Sequence, residues 1–264
     1  MSDEASHPPF DLTRFHNLLE TKRFGRNLVF EPTVGSTMDL ARDAAHHGAA
    51  EGTVALADEQ TAGRGRLGRS WITPRASNLT FTVVLRPPRH VLRQVAMLAP
   101  LAVALAVEEA TGVRTAIKWP NDVHASGRKL AGVLIETESD GSGEAIVLAG
   151  IGLNVNFDPR EYAEIRDIAT SLSVETGHPV DREPLLATVM LHFERLYDEA
   201  KAGGSLRDRW RERLAMLGQA VKVAAPGRTI EGTAEDVDDD GSLLVRTASG
   251  DVVAIEAGDV TLRE

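Results

Sequence analysis

Residues 145–157 alternate between two kinds of side chain with the period of two that is typical of a β-strand. One face is apolar, whereas the other is nearly bare and carries Leu148, Gly150, Gly152, Asn154 and Asn156. Clustered glycines weaken a strand, so they indicate close approach of another backbone or a ligand. If this strand pairs with the one predicted over 129–136, Gly132 completes a floor for a flat ligand, with Lys129 and Asn154 at its polar edge.

The rest of the main hydrophobic pattern predicts short strands and longer helices in one large domain. We expect further strands over 27–31, 53–57, 79–85 and 113–119. We expect helices over 38–47, 93–111, 181–202 and 205–216. The helix over 93–111 is largely apolar, which predicts that it lies in the core. Its apolar run is shorter than the ~20 residues that a bilayer span needs.

The pattern changes near 217–218, where helical periodicity gives way to short strands separated by turn residues. Four such strands are expected, over 220–224, 229–234, 242–246 and 251–255. These strands predict a small β-barrel. The start of the chain, in contrast, is polar and has no apolar run, which predicts a flexible tail. The chain therefore divides into a flexible tail (1–15), a main domain (16–217) and a C-terminal barrel (218–264).

Composition excludes several classes of site and partner. The 264 residues carry a formal net charge of −10 and include no cysteine. Without cysteine there is no disulfide, thiol nucleophile or cysteine-ligated zinc. The acidic balance argues against bulk nucleic-acid binding, which depends on lysine and arginine. We therefore expect a cytoplasmic protein with no signal peptide, no metal-binding residues, no DNA partner and no membrane partner.

Residues 63–69 contrast with this acidic background, because they read Gly-Arg-Gly-Arg-Leu-Gly-Arg. Arginine suits carboxylate and phosphate oxygens, and glycine lets backbone N–H groups approach a ligand. An isolated segment of this kind is usually a solvated basic turn. The segment also nearly fits a P-loop, but a P-loop opens a helix, whereas residues 79–85 read as a strand. We therefore predict a strand–loop–strand anion site.

Two further segments each allow a structural and a functional interpretation. Ser36 and Thr37 precede the helix predicted over 38–47, where they either cap it or donate to a ligand at its positive end. The segment 118–122 reads Lys-Trp-Pro-Asn-Asp, which is either a turn with an aromatic anchor or part of a site. The residues by themselves leave both alternatives open.

Taken together, these motifs resemble those of biotin–protein ligases, also called biotin–[acetyl-CoA-carboxylase] ligases. The resemblance spans most of the chain and rests on five motifs in order: Gly35-Ser36-Thr37, Gln60 with residues 63–71, residues 118–122, Lys129-Leu130-Ala131-Gly132, and Gly150-Ile151-Gly152-Leu153-Asn154-Val155. It implies an α+β fold, in which a mixed α/β sheet forms the catalytic domain (16–217) and an SH3-like β-barrel follows (218–264).

The resemblance, with the glycine floor, also implies a set of site residues. Biotin is expected to contact Ser36, Thr37, Gln60, Arg64, Gly65, Arg66, Lys129, Gly132 and Gly152. The nucleotide is expected to contact Arg64, Arg69, Trp71, Asn121, Lys129 and Asn154. Lys129 and Arg66 are the expected catalytic residues, and the arginine–glycine loop (63–69) is expected to be mobile until a ligand orders it.

The implied reaction has two steps. The biotin carboxylate attacks the α-phosphate of Mg–ATP to give biotinyl-5′-AMP, and a lysine of a biotin carboxyl carrier domain then accepts the biotinyl group. ATP and biotin are substrates, Mg²⁺ is an activator, and no bound prosthetic group is expected. A homodimer is left open. The motif at 35–37 comes too early for a preceding DNA-binding winged helix, so the chain resembles the ligase-only form.

Other functions remain open at this point. A lipoate or octanoate ligase would share the broad architecture, although Gln60 and the arginine–glycine loop favour the ureido ring and carboxylate of biotin over a dithiolane. A non-catalytic biotin-binding protein or a nucleic-acid-binding module would use the same loop without chemistry. Met38 stands where the family commonly has asparagine, so a ligand contact from this position is in doubt.

Overall fold

A seven-stranded mixed sheet forms the centre of the main domain. The computed structural model describes residues 7–139 and 145–262. The strands are β1 (Leu28–Val34), β2 (Val54–Gln60), β3 (Leu79–Leu85), β4 (Ala116–Lys118), β5 (Asp122–Ala125), β6 (Arg128–Ser139) and β7 (Ala145–Leu153). Their order is β1-β2-β3-β7-β6-β5-β4, in which β1 and β2 are parallel and all other neighbours are antiparallel. The expected α+β fold is confirmed.

Helices pack against both faces of this sheet. They are α1 (Leu12–Leu18), α2 (Thr37–His46), α3 (Arg89–Leu92), α4 (Val95–Thr111), α5 (Leu172–Thr176), α6 (Arg182–Lys201) and α7 (Arg207–Arg211). The apolar α4 packs between α6 and the sheet, as its composition predicts. No helix in the described ranges combines the length and hydropathy needed to cross a bilayer.

The alternation along β7 separates these two faces. Its apolar positions, such as Ile151, lie in the core beneath α4 and α6. The opposite face meets α2, where Met38 fills the space beside Gly150: a Cβ on that glycine would lie 2.5 Å from the Met38 sulfur. Met38 is thus a buried packing residue, 3% exposed. Gly132 and Gly152, which are paired directly, lie farther along the sheet against the indole of Trp71.

The predicted tail over 1–15 is wrong in its second half. Residues 1–6 lie outside the described residues, but Phe10 and Phe15 are buried in the core and α1 begins within the predicted tail. The guanidinium of Arg182 lies 5.6 Å from the centre of the Phe10 ring, which helps to fix the segment against α6. Long-range packing of isolated aromatic residues therefore orders a stretch that reads as polar.

The C-terminal residues form a second, five-stranded antiparallel sheet, which confirms a small β-domain. Its strands are β8 (Ala220–Ala225), β9 (Arg228–Val237), β10 (Leu243–Arg246), β11 (Val252–Ile255) and the unpredicted β12 (Asp259–Leu262), in the order β11-β10-β9-β8-β12. Trp119 packs into the core of this sheet, and its Nε1 donates to the Gly241 carbonyl at 2.9 Å. Trp119 is therefore an anchor between the two sheets.

The helix predicted over 205–216 is shorter in the structure, where α7 ends at Arg211. The residues after it pair with β4 instead. The Ile117 N–H donates to the Arg213 carbonyl at 2.7 Å, and the Ala215 N–H donates to the Ile117 carbonyl at 3.1 Å. A tertiary pairing thus replaces the last helical turn.

Candidate functional site

The face of the sheet that meets α2 also carries the predicted glycine floor. Gly132 of β6 and Gly152 of β7 are paired directly. The indole of Trp71 lies against both: a Cβ on Gly132 would be 3.1 Å from its Cζ3, and a Cβ on Gly152 would overlap the ring. The close approach explains glycine at both positions. Because only Ser70 separates Trp71 from the arginine–glycine loop (63–69), the loop and the floor belong to one site.

Lys129 lies at the edge of this floor, as predicted. Its Nζ is 2.8 Å from Oδ1 of Asp122 and 5.5 Å from the centre of a Trp71 ring. An ammonium group has three donors, and the carboxylate of Asp122 uses one of them. Lys129 therefore keeps donors for an anion placed on the floor.

Hydrogen bonds between side chains position Thr37 and Gln60 on the β2 and β3 side of the floor. Oγ1 of Thr82 donates to Oγ1 of Thr37 at 3.0 Å, and that hydroxyl donates to Oε1 of Gln60 at 3.1 Å. The Thr37 N–H donates to the same Oε1 at 2.7 Å, which fixes the orientation of the Gln60 amide. Ser36 caps α2, because its Oγ accepts from the Met38 N–H at 3.3 Å.

The arginine–glycine loop connects β2 and β3, so the strand–loop–strand prediction is confirmed. Its backbone is tightly folded: the Gly65 N–H donates to the Arg69 carbonyl at 2.7 Å, and the Trp71 N–H donates to the Gly63 carbonyl at 2.9 Å. A Cβ on Gly63 would lie 2.5 Å from the Trp71 carbonyl oxygen. Gly68 has a φ of 73°, in the region that favours glycine. The glycines thus permit a turn that projects the arginine side chains.

Arg64 is held by a carboxylate at the start of α2. Its Nη2 and Nη1 donate to the two oxygens of Asp39 at 2.7 and 3.0 Å. This hydrogen-bonded pair lowers the pKa of the Asp39 carboxyl. Asp39 also accepts from Arg42 at 2.6 Å, so the loop is joined to the charged surface of α2.

Arg66 and Arg69 reach the opposite side of the floor. Nη1 of Arg66 donates to Oδ1 of Asn121 at 3.0 Å, and its Nη2 donates to the Gly258 carbonyl at 3.2 Å. Arg69 forms an ion pair with Asp259 of β12. The structure therefore brings Arg66 and Asn121 together, as the predicted site requires, and adds contacts from the C-terminal sheet.

Three buried polar atoms at this site have no hydrogen-bond partner within the described part of the chain: Nε1 of Trp71, Oγ1 of Thr73 and Oγ1 of Thr80. Thr80 pairs with Gly152 across β3 and β7. Trp71 and Thr73 also line a cavity of about 350 Å³ beside Gln60. Because unpaired buried polar atoms are costly, this surface is suited to a ligand that supplies polar groups.

Asn154 is the predicted site residue whose placement differs most from the expectation. Strand β7 ends at Leu153, and the Asn154 side chain is buried with its Nδ2 donating to the Thr170 carbonyl at 2.9 Å. The amide thereby ties the end of β7 to the segment that precedes α5. The alternating pattern placed Asn154 at the polar edge of the floor, because alternation does not reveal where a strand ends.

Three residues that the structure places at the site were not predicted there: Asp39, Thr80 and Thr82. Thr80 and Thr82 had a signal, because two hydroxyls two positions apart in an apolar strand share one face. Asp39 had none, since its role depends on an arginine from another element. Asp122 belongs to the motif 118–122, but its pairing with Lys129 was not predicted.

The Arg64–Asp39 pair leads to a first prediction. The Asp39→Asn substitution removes the ion pair between Arg64 and Asp39. A well-formed exposed ion pair contributes about 1 kcal/mol, here to the free energy of opening the loop. Cleavage of the unliganded loop by trypsin should therefore become about fivefold faster, because proteolysis follows local opening. Asp43→Asn on the same helix is the control, since Asp43 lies beside His47 and not the loop. Equal cleavage rates in both variants would contradict this role for Asp39.

Two family models match the chain. Residues 30–156 match the biotin/lipoate A/B protein ligase family. Residues 216–263 match the C-terminal domain of biotin protein ligases. The two matched segments contain the main sheet from β1 to the end of the glycine floor and the second sheet.

Individual proteins give the same result over most of the chain. It is 35% identical to the bifunctional ligase/repressor BirA of Bacillus subtilis (strain 168) over 92% of this chain and 76% of that protein. It is 34% identical to the biotin–[acetyl-CoA-carboxylase] ligase of Mycobacterium tuberculosis over 96% of each. The biotin protein ligase from Aquifex aeolicus, solved in complex with biotin and ATP, matches with a TM-score of 0.78 and 32% identity, over 90% of this chain and 99% of that one.

Proposed function

Because this chain belongs to the biotin/lipoate A/B protein ligase family and has the C-terminal domain of biotin protein ligases, we propose that it is a biotin–protein ligase. It activates biotin with ATP to form biotinyl-5′-AMP and transfers the biotinyl group to a lysine of a biotin carboxyl carrier protein. The observation that supports this function best is the pairing of Gly132 with Gly152 beneath Trp71, with Lys129 at the edge of the same surface.

In the first step, a carboxylate oxygen of biotin attacks the α-phosphorus of ATP, and the bond from that phosphorus to pyrophosphate breaks. The carboxylate and the phosphates are both negatively charged, so catalysis depends mainly on preorganised hydrogen-bond donors that stabilise this charge in the transition state. We assign this role to Lys129, whose Nζ retains free donors beside Asp122. Mg²⁺ arrives with the phosphates of its substrate. Within 7–139 and 145–262, no three acidic or histidine side chains are grouped to hold a metal.

The arginine–glycine loop supplies further positive charge and covers the reactants. Arg64 and Arg69 are partnered by partly exposed carboxylates, Asp39 and Asp259. Exposed ion pairs are weak, so biotin carboxylate or phosphate oxygens can replace these partners at little cost. With Arg66 held against Asn121, the closed loop would exclude water. Exclusion of water matters because biotinyl-5′-AMP is a mixed anhydride, which water hydrolyses.

Arg66→Ala tests the covering role of the loop. Without its bonds to Asn121 and Gly258, the loop should open more often, so biotinyl-5′-AMP should escape about tenfold faster, as expected for a loss of about 1.4 kcal/mol. A single-turnover chase that separates free from bound adenylate measures this. Arg75→Ala is the control, because Arg75 is exposed and lies in the same connection. Unaltered escape from the Arg66 variant would exclude the role.

The choice of biotin over lipoate is tested by exchange of labelled pyrophosphate into ATP. We expect exchange that depends on added biotin and is absent with lipoate. Exchange with lipoate alone would identify a lipoate ligase, and binding of biotin without exchange would identify a non-catalytic biotin-binding protein. The matched C-terminal domain of biotin protein ligases favours biotin.

The acyl acceptor of the second step is a biotin carboxyl carrier domain of an acyl-CoA carboxylase. The name of the Mycobacterium tuberculosis relative, a biotin–[acetyl-CoA-carboxylase] ligase, supports this acceptor. The cytoplasmic location, the homodimer left open by the sequence and the lack of a DNA partner stay predictions.

A further inference from the structure

The hairpin of β5 and β6 carries a histidine that neither the motifs nor the mechanism uses. His124 of β5 pairs with Lys129 of β6. Its chain neighbours Val123 and Ala125 are buried in the core, so His124 points to the same face of the sheet as Asp122, the partner of Lys129. The pairing of the two strands shifts register between Val123 and His124, and Lys129 lies opposite His124 after this shift. His124 therefore lies beside Lys129 at the edge of the floor.

One hydrogen bond fixes the tautomer of this imidazole. Nδ1 lies 3.3 Å from the Gly127 carbonyl oxygen. A carbonyl only accepts, so Nδ1 carries the proton and Nε2 keeps its lone pair. Burial is the main effect that lowers the pKa of His124, and Lys118 and Lys129 lower it further, although Asp122 and the bond to Gly127 act in the opposite direction. His124 is thus a neutral base at physiological pH.

The transfer step of the proposed function requires such a base. A lysine with the ordinary pKa of about 10.4 has a free amine in roughly one molecule in 10³ at pH 7, so the carrier lysine must lose a proton before it attacks. One oxygen of Asp122 is already engaged with Nζ of Lys129 at 2.8 Å. The lysine nitrogen must lose a second proton as the amide forms, and a neutral imidazole is the side chain that most often accepts such a proton. His124 is also only half-buried, so a lysine from another protein can reach it.

We propose that Nε2 of His124 accepts a proton of the carrier lysine in the second step. The lysine ammonium first loses one proton to solvent, and the lone pair of the free amine forms a bond to the biotinyl carbonyl carbon. The bond from that carbon to the phosphate oxygen breaks, and AMP leaves with the electron pair. Nε2 of His124 takes the second proton from the nitrogen as the amide forms and then returns it to water.

His124→Asn tests this role, because asparagine retains a donor near Gly127 but has no counterpart of Nε2. Biotin-dependent pyrophosphate exchange should stay within about twofold of the parent value. Single-turnover transfer from isolated biotinyl-5′-AMP to a carrier domain should fall by about 10²-fold. In the parent protein, this transfer rate should rise with pH as His124 loses its proton, around a pKa below 6.5. The variant should lack the part of that rise that belongs to His124 and keep the part that follows deprotonation of the carrier lysine. It should regain part of its rate with added imidazole.

His178→Asn, at an exposed position before α6, is the matched control and should behave as the parent protein. Loss of both steps by the same factor in the His124 variant would indicate a structural role and overturn the proposal, as would unchanged transfer or an unchanged pH profile. Failure of the parent protein to form any adenylate would instead refute the proposed function, so the two failures are distinguishable.

Discussion

Replacing Lys129 with alanine is expected to lower the rate of adenylate formation by about 10²–10³, the usual effect of removing one preorganised donor. The Lys129 ammonium lies against Gly132 and 5.5 Å from the centre of a Trp71 ring. The fold should persist, because the Lys129–Asp122 pair is partly exposed and contributes about 1 kcal/mol at most. Biotin-dependent pyrophosphate exchange gives the rate, and thermal unfolding monitors the fold.

Lys222→Ala is the control for this experiment. Lys222 is paired with Glu231 on the second sheet, so the substitution also removes one exposed ion pair but not one near the floor. It should leave pyrophosphate exchange unchanged. If Lys129→Ala exchanged pyrophosphate at the rate of this control, Lys129 would have no part in the first step.

Gly152→Ala is the second substitution with a large expected effect. The added methyl group would overlap the Trp71 indole and stand above the floor, so affinity for biotin and ATP should fall by about 10- to 100-fold, the range that corresponds to an overpacking cost of about 1–3 kcal/mol. Gly152 is not among the residues with positive φ, so alanine fits its backbone. Isothermal titration with each ligand measures the loss.

Gly150→Ala separates this effect from general damage to β7. Gly150 lies on the same strand face, two residues away, but its added methyl group would meet the Met38 sulfur rather than Trp71. We expect this variant to lose stability and to keep ligand affinity in the folded fraction. Equal losses of affinity in the two variants would show that the floor itself is not the binding surface.

The part of the fold that follows from the sequence is the part with strong periodicity. Alternation in β7 identified the two faces of the sheet, and the apolar α4 is buried as its composition requires. Phe10 and Phe15 are buried through contacts with distant elements, which a polar local context does not reveal. The buried ion pair of Arg182 and Asp58, at 2.7 Å, likewise joins residues far apart in the chain. The burial of these residues is therefore set by tertiary packing, which local sequence patterns do not reveal.

The candidate site likewise has a part that the sequence predicted and a part that only the tertiary structure reveals. The arginine–glycine loop and Lys129 indicated an anion site, because the positive charge and the donors of arginine and lysine are known from the residue type alone. The partners of the arginines were not predictable, since Arg64 bonds Asp39 and Arg69 bonds Asp259 across 25 and 190 residues of sequence. The position of Trp71 on the glycine floor also depends on how the loop folds back on the sheet, which the sequence does not reveal.

The most direct test of the account is transfer of labelled biotin to an isolated biotin carboxyl carrier domain by the purified protein. We predict that label becomes covalently attached to a carrier lysine, that attachment requires ATP and Mg²⁺, and that the Lys129→Ala variant is severely impaired. Labelling that proceeds equally well without ATP, or a complete lack of labelling by a protein that binds both biotin and ATP, would contradict it.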